Sequence, residues 1–172
     1  MRIIDLSRPI YDGMPVFSGD PEVRVEILGA PEADNGVVRR ISLGSHTGTH
    51  VDAFSHMHRD GECLGDIPLE RFLGPARAVR PEERLPKGVG LIFVEAPPLE
   101  DARRIAQARP PFVAGDLPAE LERILLARHI LTYTDLVNLD QLPEGVEFTF
   151  YGLPLSISDG DGSPVRAVAI IP

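Results

Sequence analysis

Proline and glycine punctuate this chain from end to end. Its 172 residues include seventeen prolines and sixteen glycines, and neither type is clustered. Proline fixes φ and removes a backbone donor, and glycine admits turn conformations closed to other residues. Spread in this way they favour short strands joined by many turns, and they do not mark a disordered linker. The apolar fraction of 43% and a mean hydropathy near zero add a core large enough for one folded domain over residues 1–172.

The segments between these breaks can be assigned in turn. "RIIDLSRPI" and "EVRVEILGA" read as strands, with "YDGMP" and "SGDPE" as turns beside them. "GVVRRISLGSHTG" alternates in part. "ARAVR" and "VGLIFVEA" are further strands, the second apolar enough to be buried on both faces. "LEDARRIAQAR" reads as a helix, acidic at its start, with Arg109 at its end and Pro110-Pro111 stopping it. "LPAELERILLAR" reads as a second helix, with Asp116 as N-cap and with Leu121, Ile124, Leu125 and, at the edge, Arg128 on one face. "PFVAG" between them is a core strand, and "EFTFYGLPLSISDGDGSPVRAVAIIP" reads as two strands around an Asp/Gly-rich turn. With both helices in the second half, strict βαβ alternation is not expected. The fold class is α+β, a single compact domain with a curved mixed sheet and a few helices.

Chemistry concentrates in "SHTGTHVDAFSHMH", residues 45–58, which holds four of the five histidines. His46, His50, Asp52 and His56 are the types that bind a borderline divalent ion. On a strand, residues 50 and 52 share a face about 7 Å apart, so their side chains can converge. Residues 46 and 50 would lie about 13 Å apart on a strand. A helix is disfavoured by Gly48 and by the β-branched Thr47, Thr49 and Val51. A tight turn at Thr47-Gly48-Thr49 remains, with Gly48 taking the unusual backbone angle. The stretch therefore predicts a metal site at a bend between strands.

Net charge is −9 with no basic cluster, which argues against nucleic acid and anionic membranes as partners. No apolar run approaches the roughly 18 residues of a spanning helix. The opening "MRIIDLSRPIYDGMPVF" lacks an apolar core and a small-residue cleavage site, so no secretory signal is expected. The single cysteine, Cys63, fits a reducing, cytoplasmic setting.

"SHTGTHVDAFSHMHRDGE" resembles the signature of the cyclase-like metal-dependent hydrolases, the family of bacterial kynurenine formamidase and isatin hydrolase. "IDLSRPIYDGMPVFSGDPEV" resembles the family's opening segment, "LVNLDQLPEG" a segment near its end, and "LPLSISDGDGSPVRAVAI" its ending. The resemblance implies a compact swivelling β/β/α-like domain with a sheet-lined site, assembled as a homodimer or homotetramer. It implies His46, His50 and Asp52 as first-metal ligands, with Asp52 bridging to any second ion, and His56 as the acid/base. Phe17 falls where formamidases carry a substrate-touching aromatic, and with Phe54, in place of the family's usual proline, it would wall a flat small-molecule substrate. Two-metal members carry a histidine and a bridging glutamate where this chain has Glu122 and Thr134. The candidates for a distal ligand are therefore Glu122 and Thr134 themselves, Asp135 by a one-residue slip, and His58. One ion is expected rather than two, Zn²⁺ suiting the His₂Asp set best, with Mn²⁺ or Fe²⁺ as alternatives. The implied activity is metal-dependent hydrolysis of an amide-type bond, in an arylformamide or cyclic amide. The alternative is a catalytically degenerate member that binds a metal or ligand.

Overall fold

A computed structural model describes residues 1–29 and 36–172. Among these, eleven short strands are β1 (Arg2–Asp5), β2 (Arg24–Ile27), β3 (Arg39–Ser42), β4 (His50–Asp52), β5 (Leu73–Val79), β6 (Gly90–Phe93), β7 (Phe112–Ala114), β8 (Leu131–Thr134), β9 (Glu147–Tyr151), β10 (Gly162–Pro164) and β11 (Val168–Ile171). The two α-helices are α1 (Ala102–Ala108) and α2 (Ala119–Leu126). Nine strands form one mixed sheet in the order β1-β11-β9-β5-β6-β7-β8-β4-β10, while β2 and β3 pair as a separate antiparallel ribbon. The sheet curls until its start meets its later strands: Ser7 bridges Leu136, and Val137 donates to the Leu6 carbonyl. The expected single domain with a curved mixed sheet and few helices is the observed architecture.

The centre of the sheet explains the apolar runs. β5, β6, β7 and β8 run parallel to one another, and β6 is buried along its whole length. Alternation then splits its side chains between two cores. Leu91, Phe93 and Val113 join Ile105, Leu121 and Leu125 beneath the helices. Ile92, Phe112, Ala114 and Tyr133 point into the concave side with Phe72 and Phe150. Burial of each of the larger aliphatic and phenylalanine side chains among these contributes about 1.5–3 kcal/mol.

Several sequence expectations need correction. β6-α1-β7-α2-β8 is a run of βαβ units, so alternation is followed locally. It is hidden in the sequence because "LTYT" of β8 follows α2 after only a few residues. The C-terminal segment forms three strands, not two, because β10 is a three-residue strand within what reads as a turn. Asp116 does not cap α2; the N-cap is Pro118, with no side-chain cap. Helix α1 ends as expected, with Arg109 in the left-handed region at φ 53°. Residue 30, the end of "EVRVEILGA", lies outside the described residues.

Candidate metal centre

The bend expected at Gly48 is present, with φ at +60°. It turns the chain into β4, which is held between β8 and β10: His50 pairs with Thr134 and Pro164, and Asp52 with Thr132 and Gly162. Asp52 is only 2% exposed. Thr132 donates its hydroxyl to Asp52 Oδ2 at 2.8 Å. The other carboxylate oxygen, Oδ1, lies 2.9 Å from His46 Nδ1 and 3.5 Å from His50 Nε2. Thus the turn brings His46 back over the strand, and strand alternation puts His50 and Asp52 on the same side.

His56 arrives by a different route. After β4 the chain enters a 3-10 turn, Phe54–His56. The His56 ring lies 4.0 Å, centroid to centroid, from that of His46. Potential ligand atoms of His46, Asp52 and His56 all fall within 4.8 Å of one another. By geometry alone His56, rather than the expected ligand His50, completes this compact trio.

These residues suit a divalent cation. His50 Nδ1 is bound to the Gly48 carbonyl at 2.7 Å, which assigns the proton to Nδ1 and leaves the Nε2 lone pair facing Asp52 and the Thr134 hydroxyl. A nearly buried carboxylate flanked by three imidazoles is a donor set of the right hardness and charge for Zn²⁺, Mn²⁺ or Fe²⁺.

Electrostatics without an ion follow from the same contacts. Burial works against a charged His46, but hydrogen bonds to Asp52 and Asp161, and their charges, outweigh it and lift His46 to about 9. Burial would raise Asp52, yet its bonds to His46 and Thr132 and the nearby imidazoles hold it below the ordinary carboxylate range. His56 is pushed down by burial, reinforced by the His46 charge. Glu122 is lifted to about 7, first by burial and then by the charge of Asp52.

A cavity of about 600 Å³ opens in front of this cluster. It is lined by His46, His50, Asp52 and His56, by Thr134 and Glu122, and by Phe17, Met57 and Leu117. Phe17 is 81% exposed at its edge. Of the four distal candidates, Glu122 and Thr134 therefore face the site and two do not. Asp135, at φ 55°, turns away to pair with Arg8. His58 lies outside this cavity, its Nε2 against the Arg123 carbonyl. Phe54 is a further correction. It is 2% exposed and does not line the cavity; it packs on His129 and under the Arg71 guanidinium. Strand alternation from residues 50 and 52 would put it on the site's face, but the 3-10 turn begins at Phe54 and breaks that alternation.

Asp161 is the residue that sequence reasoning missed. It precedes β10, and its Oδ2 lies 3.0 Å from His46 Nε2 and 3.6 Å from His56 Nδ1. Its signal in the sequence was the "SDGDGSPV" turn, which carries no hint of its partner 115 positions away.

Comparisons with known proteins agree with this picture. A kynurenine formamidase from Salinibacter ruber is 33% identical, over 98% of this chain and 97% of its own. One from Paracidovorax citrulli is 29% identical, over 98% and 96%. Isatin hydrolase A from Labrenzia aggregata, solved with benzyl benzoate, has the same fold: TM-score 0.83, 23% identity, 99% of this chain and 93% of that one. A structure described as a potential metal-dependent hydrolase with cyclase activity follows at TM-score 0.79 and 24% identity, over 99% and 98%. The description of the putative cyclase family fits residues 4–113, most of the chain, and with the Salinibacter relative it shows that this protein belongs to the cyclase family.

Proposed function

We propose that this protein is a metal-dependent hydrolase of a non-peptide amide-type C–N bond, an arylformamide or cyclic amide. The observation that carries the reading is the convergence of His46, His50, Asp52 and His56 at the head of one cavity. The kynurenine formamidases it resembles along almost their full length support the bond class.

His46, His50 and Asp52 would hold the ion, and the Gly48 carbonyl keeps His50 in the right tautomer for it. A divalent ion so held supplies an acidified water and a polarised carbonyl to this class of reaction. His56 is then the proton carrier. It accepts a proton from the attacking water and returns it to the leaving nitrogen. Burial favours its neutral form, the form a base requires. Phe17, Met57 and Leu117 give the substrate's flat apolar part a surface to rest on.

One ion is favoured over two. Thr134 offers a neutral hydroxyl, already bonded to His50, and Glu122, lifted to about 7 first by burial, is held toward its neutral form, a poor ligand. Zn²⁺ suits the imidazole-rich set best. The chain works as a homodimer or homotetramer, a reading supported by Ile27, Leu28, Val37, Val38 and Ile41, all exposed on or beside the β2–β3 ribbon. No helix of the described residues is long and apolar enough to cross a membrane, and the lone Cys63 fits the cytoplasm.

The test is metal analysis of untagged protein together with turnover of formanilide. One firmly held divalent ion per chain is expected, with His56→Ala keeping the ion and losing turnover. Full activity in that variant would remove His56 from the mechanism. The Thr134 and Glu122 substitutions support a second reading, a binding protein without catalysis. It predicts an ion but no hydrolysis of formamides, cyclic amides or esters.

A further inference from the structure

A histidine that ligates a metal through one nitrogen needs its other N–H directed to a fixed acceptor, which sets the tautomer and the ring's orientation. For His50 that acceptor is the Gly48 carbonyl. For His46 the two ring nitrogens face opposite ways. Nδ1 points to Asp52, inside the donor cluster, and Nε2 points to Asp161 Oδ2 at 3.0 Å. The same Asp161 oxygen stands 3.6 Å from Nδ1 of His56. One carboxylate oxygen therefore lies beside the edges of two rings whose centroids are 4.0 Å apart and whose planes are inclined by 41°.

Asp161 is held to this position from both ends. Its carbonyl accepts from the Ala53 N–H at 2.8 Å, and the next residue, Gly162, pairs with Asp52. Its carboxylate approaches from the side of His46 opposite Asp52, so it need not touch an ion to act on the site.

We propose that Asp161 is a positioning residue for both histidines: it takes the Nε2–H of His46, freeing Nδ1 for the ion, and it orients His56 for proton transfer. This rests on the metal-hydrolase reading above. It adds a coupling that reading lacks, because one side chain would set the metal ligand and the proton carrier together.

Asp161→Ala in the full chain tests it. The side chain is 48% exposed, so truncation opens no buried cavity. Zn²⁺ affinity, read by competition with a chromogenic chelator, should fall about 10- to 100-fold. Formanilide kcat should fall while KM changes little, and the imidazole ¹⁵N signals of both His46 and His56 should move. Should the alanine variant not fold, Asp161→Asn, which keeps the shape, should still weaken Zn²⁺ about tenfold and move the same signals. Affinity within twofold of the parent, with unmoved imidazole signals, would overturn the proposal. The affinity measurement needs no substrate. A parent that binds Zn²⁺ but hydrolyses no amide defeats the hydrolase reading and leaves this measurement decisive. A parent that turns over formanilide, with Asp161→Ala unchanged in affinity and kcat, defeats only the role of Asp161.

Discussion

Gly162→Ala would place a methyl carbon 2.5 Å from Cε1 and 2.9 Å from Nδ1 of His46, and 3.0 Å from the Val51 carbonyl oxygen. Ordinary carbon contacts begin near about 3.5 Å, so the ring must retreat by about 1 Å. The backbone there cannot yield easily, because β10 is registered to β4 through Gly162–Asp52 and Ser163–Val51. Retreat breaks the 2.9 Å contact between His46 and Asp52. A hydrogen bond to a charged partner is worth about 1.5–3 kcal/mol, and overpacking strain adds about 1–3 kcal/mol where the site cannot relax. Part of this is recovered as the half-buried ring moves outward, so a net loss of about 2 kcal/mol is expected, or about 4–8 °C in the melting temperature of a chain this size. Misplacement by about 1 Å should also lower turnover about 100-fold. Thermal unfolding and formanilide turnover, each measured on the metal-loaded protein, check both figures. A variant within 1 °C of the parent, with full activity, would refute the claim that β10 backbone seats the His46 ring.

Three other perturbations follow from the same geometry. In the metal-free protein Glu122 is lifted from 4.5 to about 7, so its folded form keeps a proton that the unfolded chain has lost, and stability falls as pH rises from 4.5 through 7; Glu122→Gln removes that loss and should be more stable than the parent by about 2 kcal/mol at pH 8, after allowing for solvent screening, by chemical denaturation at pH 4 and pH 8. Tyr133 is fully buried, and its hydroxyl donates to the Gly152 carbonyl at 3.1 Å; Tyr133→Phe should cost about 1–2 kcal/mol in denaturant unfolding and leave Zn²⁺ binding unchanged. Ile41→Asp, on the exposed face of the β2–β3 ribbon, should shift light-scattering mass from oligomer to monomer if that ribbon is the contact between copies.

How far the sequence foretold the site depends on distance along the chain. His46, Gly48, His50 and Asp52 lie within seven positions, and alternation plus one glycine turn suffices to predict that they converge. His56 was legible as a neighbour, but Phe54 was not, because a 3-10 turn replaces the strand's two-residue period at that point. Asp161 depended on the antiparallel pairing of β10 with β4, two three-residue strands too short to show a pattern. β8 gives little signal for a related reason: its four residues, Leu131–Thr134, are too few to show a period and come soon after α2. The helices themselves were readable, since Pro110-Pro111 and the spacing of Leu121 and Leu125 leave little alternative.

The central claim is that one ion at His46, His50 and Asp52, with His56 beside it, hydrolyses an amide. Titrating Zn²⁺ into metal-stripped protein while following formanilide hydrolysis tests it most directly. Activity should rise linearly and level off at one equivalent per chain. No turnover at any Zn²⁺ level, or a plateau only at two equivalents, would contradict it.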